Sequence, residues 1–438
     1  MALALAAGGC AGAPTQPLDT AQQTLRTIAE RAGATDLSAR RLPDGGMTIG
    51  GMLDGHQFAL AIPAHWNHEA LVFAHGYSMP GSPVAVSESP TEKDPSGGLM
   101  KIAYGQGYAV GHSAYDKAGM GVQSGVENTL RLKRYLDRLG ARRVFVGGGS
   151  MGGNIVMALI EQHPDTFAGA VAACGVTDNW VAEVGALIDM RAAYNYFTAG
   201  TDYALPGNRD LDASAISATP PGIIGFAGSP YRLLQMKRMA GPIAALFKAV
   251  EKVPDGPEAR MVARIASVTG FAAEPGSFIF PLLTVSLGMD DMRATFGGNI
   301  YDNRQKRYAS PLLNEAEIIA LNRSIQRTRA DPAAIAYVDR WHRTTGRFTT
   351  PLVAIHNRID SLVPYAQALG LRRRVRDANN TERLLQFTVP PVMNPIPGTG
   401  VSGYAHCGFR PAQIAQGWNA LRQWVATGVK PAGGVRQP

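Results

Sequence analysis

The sequence predicts an α/β protein: a mostly parallel central sheet flanked by helices, with a long, mainly helical insertion. Three observations predict it. From about residue 45 to 177, and again from 351, apolar runs alternate with amphipathic stretches at the spacing of β-α units. Between 178 and 350 the alternation stops, and helix formers, methionines and Gly-Pro punctuation replace it. Finally, "VFVGGGSMGG" (144–153) crowds five glycines around Ser150, where a strand-like run meets a helix-like one.

The elements follow in order. "MTIGGML" (47–53) and "HQFALAIP" (56–63) are short alternating runs joined by Asp54-Gly55, a hairpin signal. "ALVFAHGY" (70–77) and "YAVGHSAY" (108–115) are continuous apolar runs, as strands buried on both faces would be. In "SGVENTLRLKRYLDRLG" (124–140), Val126, Leu130, Leu132, Leu136 and Leu139 share one helical face, with Ser124 as the expected N-cap and Gly140 as the stop. "RRVFVGG" (142–148) then reads as a strand, "GGNIVMALIEQHP" (152–164) as a helix and "FAGAVAACG" (167–175) as a strand. The insertion contains two amphipathic helices, "YRLLQMKRMAGPIAALFKAVEKV" (231–253) and "EARMVARIASVTGF" (258–271). After it come a strand "PLVAIHN" (351–357), a helix "VPYAQALGLRRRVRDA" (363–378), a last strand "RLLQFTV" (383–389), a Pro/Gly-rich loop and a closing helix "QIAQGWNALRQWVATG" (413–428). The expected division is therefore a leader and tether over 1–25, a core over 26–177, a helical lid or cap over 178–350, and the rest of the core over 351–438.

At 438 residues, 45% hydrophobic and 17% charged, the chain is a globular protein and not a disordered one. Its net charge of +8 is dispersed and never forms a block of like charges, and no basic stripe interleaved with aromatics marks a nucleic-acid partner. The first residues, "MALALAAGGCAGAPTQ", resemble the end of a bacterial lipoprotein signal without its basic n-region. They lead us to expect an exported bacterial protein (periplasmic, outer-membrane or secreted), with membrane anchoring through a lipidated Cys10. Cys174 and Cys407 are the other cysteines, too few for a disulfide framework or a zinc site, and no motif calls for a metal or cofactor.

Gly148-Gly149-Ser150-Met151-Gly152 matches G-x-S-x-G, and its strand-to-helix context is what that nucleophile elbow requires. A serine there is held at a strained backbone angle, and small neighbours let strand and helix approach. A phosphate-binding P-loop would need Lys followed by Ser or Thr, which is lacking here. The G-x-G-x-x-G spacing of dinucleotide sites is formally met by Gly147, Gly149 and Gly152. However, several strands precede it, and no acid ends the next strand to hold a ribose. A serine hydroxyl needs a base, and the base an orienting acid, in the chain order Ser, acid, His. Asp360 follows a buried strand in "AIHNRIDSLVP", and His406 follows the last strand in "GYAHCGF". Asp178, after the strand that follows the elbow, is the rival acid. Backbone N–H groups of Met151 and of Tyr77, in "FAHGYSMPG", are the expected oxyanion donors, with His75 buttressing that loop.

These residues resemble an α/β-hydrolase-fold serine hydrolase: His75-Gly76-Tyr77, the elbow at Ser150, "HPDTFAGAV", "HNRIDSLVP" and "YAHCGF". The resemblance spans roughly 70–180 and 350–428 and implies the Ser150–Asp360–His406 triad and an acyl-enzyme route. "FGGNIYDN" (296–303) and the stretch 330–351 are similar to secreted bacterial members of that fold. His406-Cys407 also resembles the feruloyl esterase and tannase group, where cysteines beside the serine and histidine are bridged. Gly149 departs from that pattern, so Cys407 is expected either to bridge to Cys174 or to stay buried and free.

The expected function is hydrolysis of carboxylic esters, small or polymeric. A lid-bearing serine peptidase and an acyltransferase are the alternatives. The insertion's Trp180, Tyr194, Tyr196, Phe197, Phe226, Met236 and Phe278 either line the substrate pocket or form the insertion's own core.

Overall fold

A computed structural model describes residues 20–432, apart from Pro221 and Ile224. Cys10 and the leader therefore lie outside the described residues. The chain opens with helix α1 (Thr20–Arg31) and strand β1 (Ala34–Arg41), followed by β2 (Met47–Leu53) and β3 (His56–Ile62). The β2–β3 hairpin turns at Asp54-Gly55, where Asp54 and Gly55 both take positive φ (48° and 83°), as the sequence predicts. Next come β4 (Glu69–Ala74), α2 (Leu99–Gly105), β5 (Ala109–Ser113), α3 (Val122–Arg138), β6 (Arg143–Gly149), α4 (Met151–Gln162) and β7 (Ala170–Ala173).

Six α-helices then separate β7 from its sheet neighbour: α5 (Trp180–Phe197), α6 (Ser229–Lys252), α7 (Pro257–Thr269), α8 (Pro275–Phe296), α9 (Glu315–Ser324) and α10 (Pro332–His342). The sheet resumes with β8 (Leu352–Asn357), α11 (Ala366–Asp377) and β9 (Leu384–Val389). A small hairpin, β10 (Met393–Pro395) and β11 (Ser402–Tyr404), precedes α12 (Pro411–Thr427).

Nine strands form one sheet in the order β1-β2-β3-β5-β4-β6-β7-β8-β9, parallel from β5 to β9 and antiparallel at the β1–β3 edge. Strands β4, β5 and β8 are buried at every position. This follows from helices covering both faces, and it is why these strands read as unbroken apolar runs. One face packs α2 and α12 through Leu99, Met100, Trp418 and Leu421. The other packs α3, α4 and α11, and its core continues into the insertion through α5 and α8.

The structure revises three local expectations. Helix α3 begins at Val122 with Gly121 as its cap, so Ser124 lies inside the helix, its hydroxyl turned back to the Gly121 carbonyl. β9 is the last strand of the main sheet, but the Pro/Gly-rich loop after it holds the β10–β11 hairpin. α1, β1 and α2 carry no signal strong enough to be read in advance. The β1 sequence ATDLSARR is half polar and lies at the sheet edge.

Candidate active site

Ser150 stands between β6 and α4 with φ 57° and ψ −125°, a region an L-residue enters at a cost. The strain is locked from both sides. Its N–H donates to the Ala173 carbonyl at 3.1 Å, and its own carbonyl accepts from Gly153 at 3.0 Å and Val176 at 3.2 Å. The surrounding glycines give clearance. A Cβ at Gly148 would run into the Gly152 carbonyl, one at Gly152 into the Ala74 carbonyl, and one at Gly153 would lie 2.5 Å from the Gly175 Cα.

Asp360, between β8 and α11, and His406, between β11 and α12, meet at the same end of the sheet. The imidazole Nδ1 lies 2.7 Å from Asp360 Oδ1. The Asp360 carboxylate is buried and accepts three backbone N–H bonds, from Leu362 and Val363 (2.9 Å each) and from Cys407 (2.8 Å). Burial pushes its pKa up, but His406, the nearby His356 ring and the Cys407 N–H outweigh that and hold the carboxyl below its ordinary value. The stability Asp360 contributes is therefore present above about pH 4 and lost as pH falls through its lowered folded value. Asp178 is placed elsewhere: its oxygens face Arg374 Nε at 2.8 Å and Arg373 at 3.4 Å. The rival acid is thus engaged in a partly buried ion pair away from His406.

On the other side of Ser150, a Cβ at Gly76 would lie 3.2 Å from Ser150 Cβ and 3.7 Å from Oγ, so the Gly76-Tyr77 peptide runs beside the nucleophile. Met151 is the first residue of α4, where a helix leaves its N–H without an internal partner. Both expected oxyanion donors therefore flank Ser150. His75 buttresses the loop, stacked on Tyr115 with ring centroids 3.7 Å apart, while Tyr115 donates to its carbonyl at 3.1 Å. Burial lowers the His75 pKa and favours the neutral ring. Helix α8 braces the same loop. Asp291 accepts from Lys117 Nζ (2.6 Å) and Met120 N (2.7 Å), and the turn so held bridges through Gly119 to Ser78.

The pocket at Ser150, about 240 Å³, is lined by His406, Gly76 and Tyr77, and by apolar side chains such as Phe73, Leu99, Val171, Phe409 and Ile414. These apolar walls belong to the core between the sheet and the α2/α12 layer, with the Pro95–Gly97 turn at their edge. None of the aromatics singled out in the insertion lines it. Trp180, Tyr194 and Phe278 are buried in the core that the insertion shares with the α3/α4 face of the sheet, Trp180 Nε1 donating to Asn154 on α4 at 3.0 Å, and Phe226 is 77% exposed. Their sequence spacing suits both roles, and only packing separates them.

Two residues beside the acid carried no sequence signal. Ser361 is fully buried, its hydroxyl without a partner among the described residues. Glu183, in the first turn of α5, is buried, and among the described residues its carboxyl has a single hydrogen bond, from Gln367 at 3.3 Å. Burial and, second, the Asp360 charge raise its pKa well above the ordinary range. Its sign is opposite to that of Asp360: the neutral form is favoured in the fold, so stability is full below about pH 4.3 and falls as pH rises toward the folded value, by about 1.4 kcal/mol per pH unit. Glu183→Gln should therefore melt with wild type near pH 4 and above it at pH 8, as thermal unfolding at the two pH values will show.

Cys174, after β7, and Cys407 are joined in a disulfide, which decides between the two states the sequence left open. The bridge spans 233 residues of chain and fixes the residue next to His406. Reduction, or the Cys174→Ala/Cys407→Ala double variant, should cost about 2–5 kcal/mol of stability and lower kcat. Melting curves and turnover with and without dithiothreitol check this. The double variant should no longer respond to the reductant.

The model of peptidase family S9, the prolyl oligopeptidase family, matches residues 125–196, from α3 through the elbow to α5. Asp360 and His406 lie outside that stretch. The fold is that of an α/β hydrolase. Solved structures similar to this chain include feruloyl esterase B from Aspergillus oryzae, at 12% identity and TM-score 0.43 over 91% of this chain and 88% of that one. Another esterase from Aspergillus oryzae has 12% identity and TM-score 0.44 over 94% and 90%. A rice cell wall degrading esterase from Xanthomonas oryzae has 14% identity and TM-score 0.38 over 83% and 87%. No curated protein sequence matches the chain. The elbow, the sheet order and the family-model match together support a serine hydrolase.

Proposed function

We propose that this α/β hydrolase cleaves carboxylic esters through an acyl-enzyme on Ser150. The observation that carries the reading is the 2.7 Å contact between His406 Nδ1 and the buried Asp360 carboxylate, at the pocket that Ser150 faces. In this reading His406 Nε2 takes the Ser150 proton as Oγ attacks the acyl carbon. The carbonyl oxygen becomes an oxyanion held by the Met151 and Tyr77 N–H groups. The proton then passes from His406 to the departing alkoxide. Water, deprotonated by His406, attacks the acyl carbon and returns Ser150 with release of the acid. Asp360 orients the ring and offsets the imidazolium charge.

An ester fits the pocket better than an aminopeptidase substrate, because the residues lining it offer no carboxylate to a substrate amine. The S9 match over the elbow is what keeps a peptidase as the second reading. The insertion is read as a lid or cap whose α8 braces the oxyanion loop, and an exported location suits the disulfide. Lipid attachment at Cys10 belongs to the same proposal.

A chain-length series of p-nitrophenyl esters, run beside aminoacyl anilides, tests the reading. We expect turnover of esters with short to medium apolar acyl groups. Preference for the anilides would transfer the assignment to peptidase, and product formed with an added alcohol in place of water would transfer it to acyltransferase.

A further inference from the structure

Helix α6 turns to solvent a face that neither the core nor the pocket uses. Leu233, Leu234, Lys237, Arg238, Lys248 and Lys252 recur at helical spacing and are all exposed, while Met239, Ile243, Leu246 and Phe247 opposite them are buried. Large apolar side chains gather at the N-terminal end of this face. Leu233 and Leu234 are 54% and 53% exposed, and the turn just before the helix adds Ile223 (46%) and Phe226 (77%).

That turn is tied down. The buried Arg232 guanidinium donates to the carbonyls of Gly81 (2.6 Å) and Gly225 (2.7 Å) and to the Ser229 hydroxyl (2.7 Å). Gly225 also donates to the Gly81 carbonyl at 2.8 Å. The apolar tip is thus seated on the loop four residues beyond Tyr77, at the active-site end of the molecule. Lys237 and Arg238 follow one turn behind the tip, about 5 Å along the axis. Among the described residues none of the four cations on this face pairs with a carboxylate, and Glu251 is the one acid among them.

An apolar tip backed at one-turn distance by cations without a carboxylate partner, Arg238 donating only to the neutral Gln235 side chain among the described residues (3.1 Å), matches the layering of an anionic membrane surface, acyl region first and phosphates behind. A second copy of the chain fits poorly, since it would bring the same cations against these.

We propose that the 223–252 face docks this protein onto anionic lipid surfaces, so that its esters are amphiphiles drawn from such a surface. The substrate half rests on the ester-hydrolase reading; the docking half does not. Co-sedimentation with phosphatidylcholine vesicles, with and without phosphatidylglycerol, tests docking in a Cys10→Ser background, where no acyl chain at residue 10 contributes. Binding should favour the anionic vesicles by about tenfold or more and weaken with added salt. Leu233→Ser/Leu234→Ser should weaken it by about tenfold or more, and Lys237→Glu/Arg238→Glu by at least about thirty-fold. Both variants should hydrolyse a short soluble ester as wild type does, yet lose turnover of an ester embedded in anionic vesicles. Wild-type binding by either variant, indifference to lipid charge, or self-association through this face would overturn the proposal. Absence of soluble-ester turnover in wild type would sink the ester reading and leave the vesicle result standing.

Discussion

Ser150→Ala is expected to lower kcat/KM on esters by about four to six orders of magnitude while leaving the fold intact. The reason is that Ser150 alone stands on the elbow, while the hydroxyl of Ser96, the other serine lining the pocket, donates to Asp94 and accepts from the Met100 N–H. The flanking N–H groups and His406 would remain, so a weak residual hydrolysis by water should persist above background. Alanine keeps the strained φ of 57°, whereas Ser150→Gly relieves it. The glycine variant should therefore be equally inactive but about 1 kcal/mol more stable than the alanine variant. Steady-state kinetics on a p-nitrophenyl ester and thermal melts of both variants check the pair. Ester turnover in Ser150→Ala within tenfold of wild type would refute the nucleophile.

Asp360→Asn carries the second large effect, a fall in kcat of about four orders of magnitude with KM little changed. An amide at this position offers no charge to the imidazolium, and it lets His406 settle in the wrong tautomer. The carboxylate also accepts the Leu362, Val363 and Cys407 N–H groups, so part of the loop geometry depends on it. Asp178→Asn is the control that separates the two acids. It loses the charge facing Arg374 and should cost about 1–3 kcal/mol of stability with kcat nearly unchanged. The reverse pattern of kcat between the two variants would transfer the acid role to Asp178.

The strands and helices around the elbow were legible because each is long, periodic and locally consistent. Strand β6 is apolar until its glycines, and α4 begins where the side chains turn small. The candidate site was legible for a related reason, since Ser150, Asp360 and His406 each close a strand or hairpin in the expected chain order. The pocket was not. Its walls come from Phe73 and Val171 on two strands, Leu99 on the unread α2, and Phe409 and Ile414 around the start of α12. Each of these is an ordinary core residue until the sheet brings them together. Glu183 was equally silent, because an acid in the first turn of a helix is usually a solvated one, and only the packing of α5 against Gln367 buries it.

By itself the sequence determined the alternating α/β core, the helical insertion, the elbow and the short roster of acids and bases, because periodicity and strand-end chemistry are local properties. Tertiary structure alone decided which acid faces His406, that Cys174 and Cys407 are bridged, that the insertion's aromatics pack on one another, and that α6 keeps an apolar, basic face in water. Those outcomes depend on distances of a few ångströms between residues up to 233 positions apart in the chain. No local pattern encodes such distances, and the packed sheet sets them.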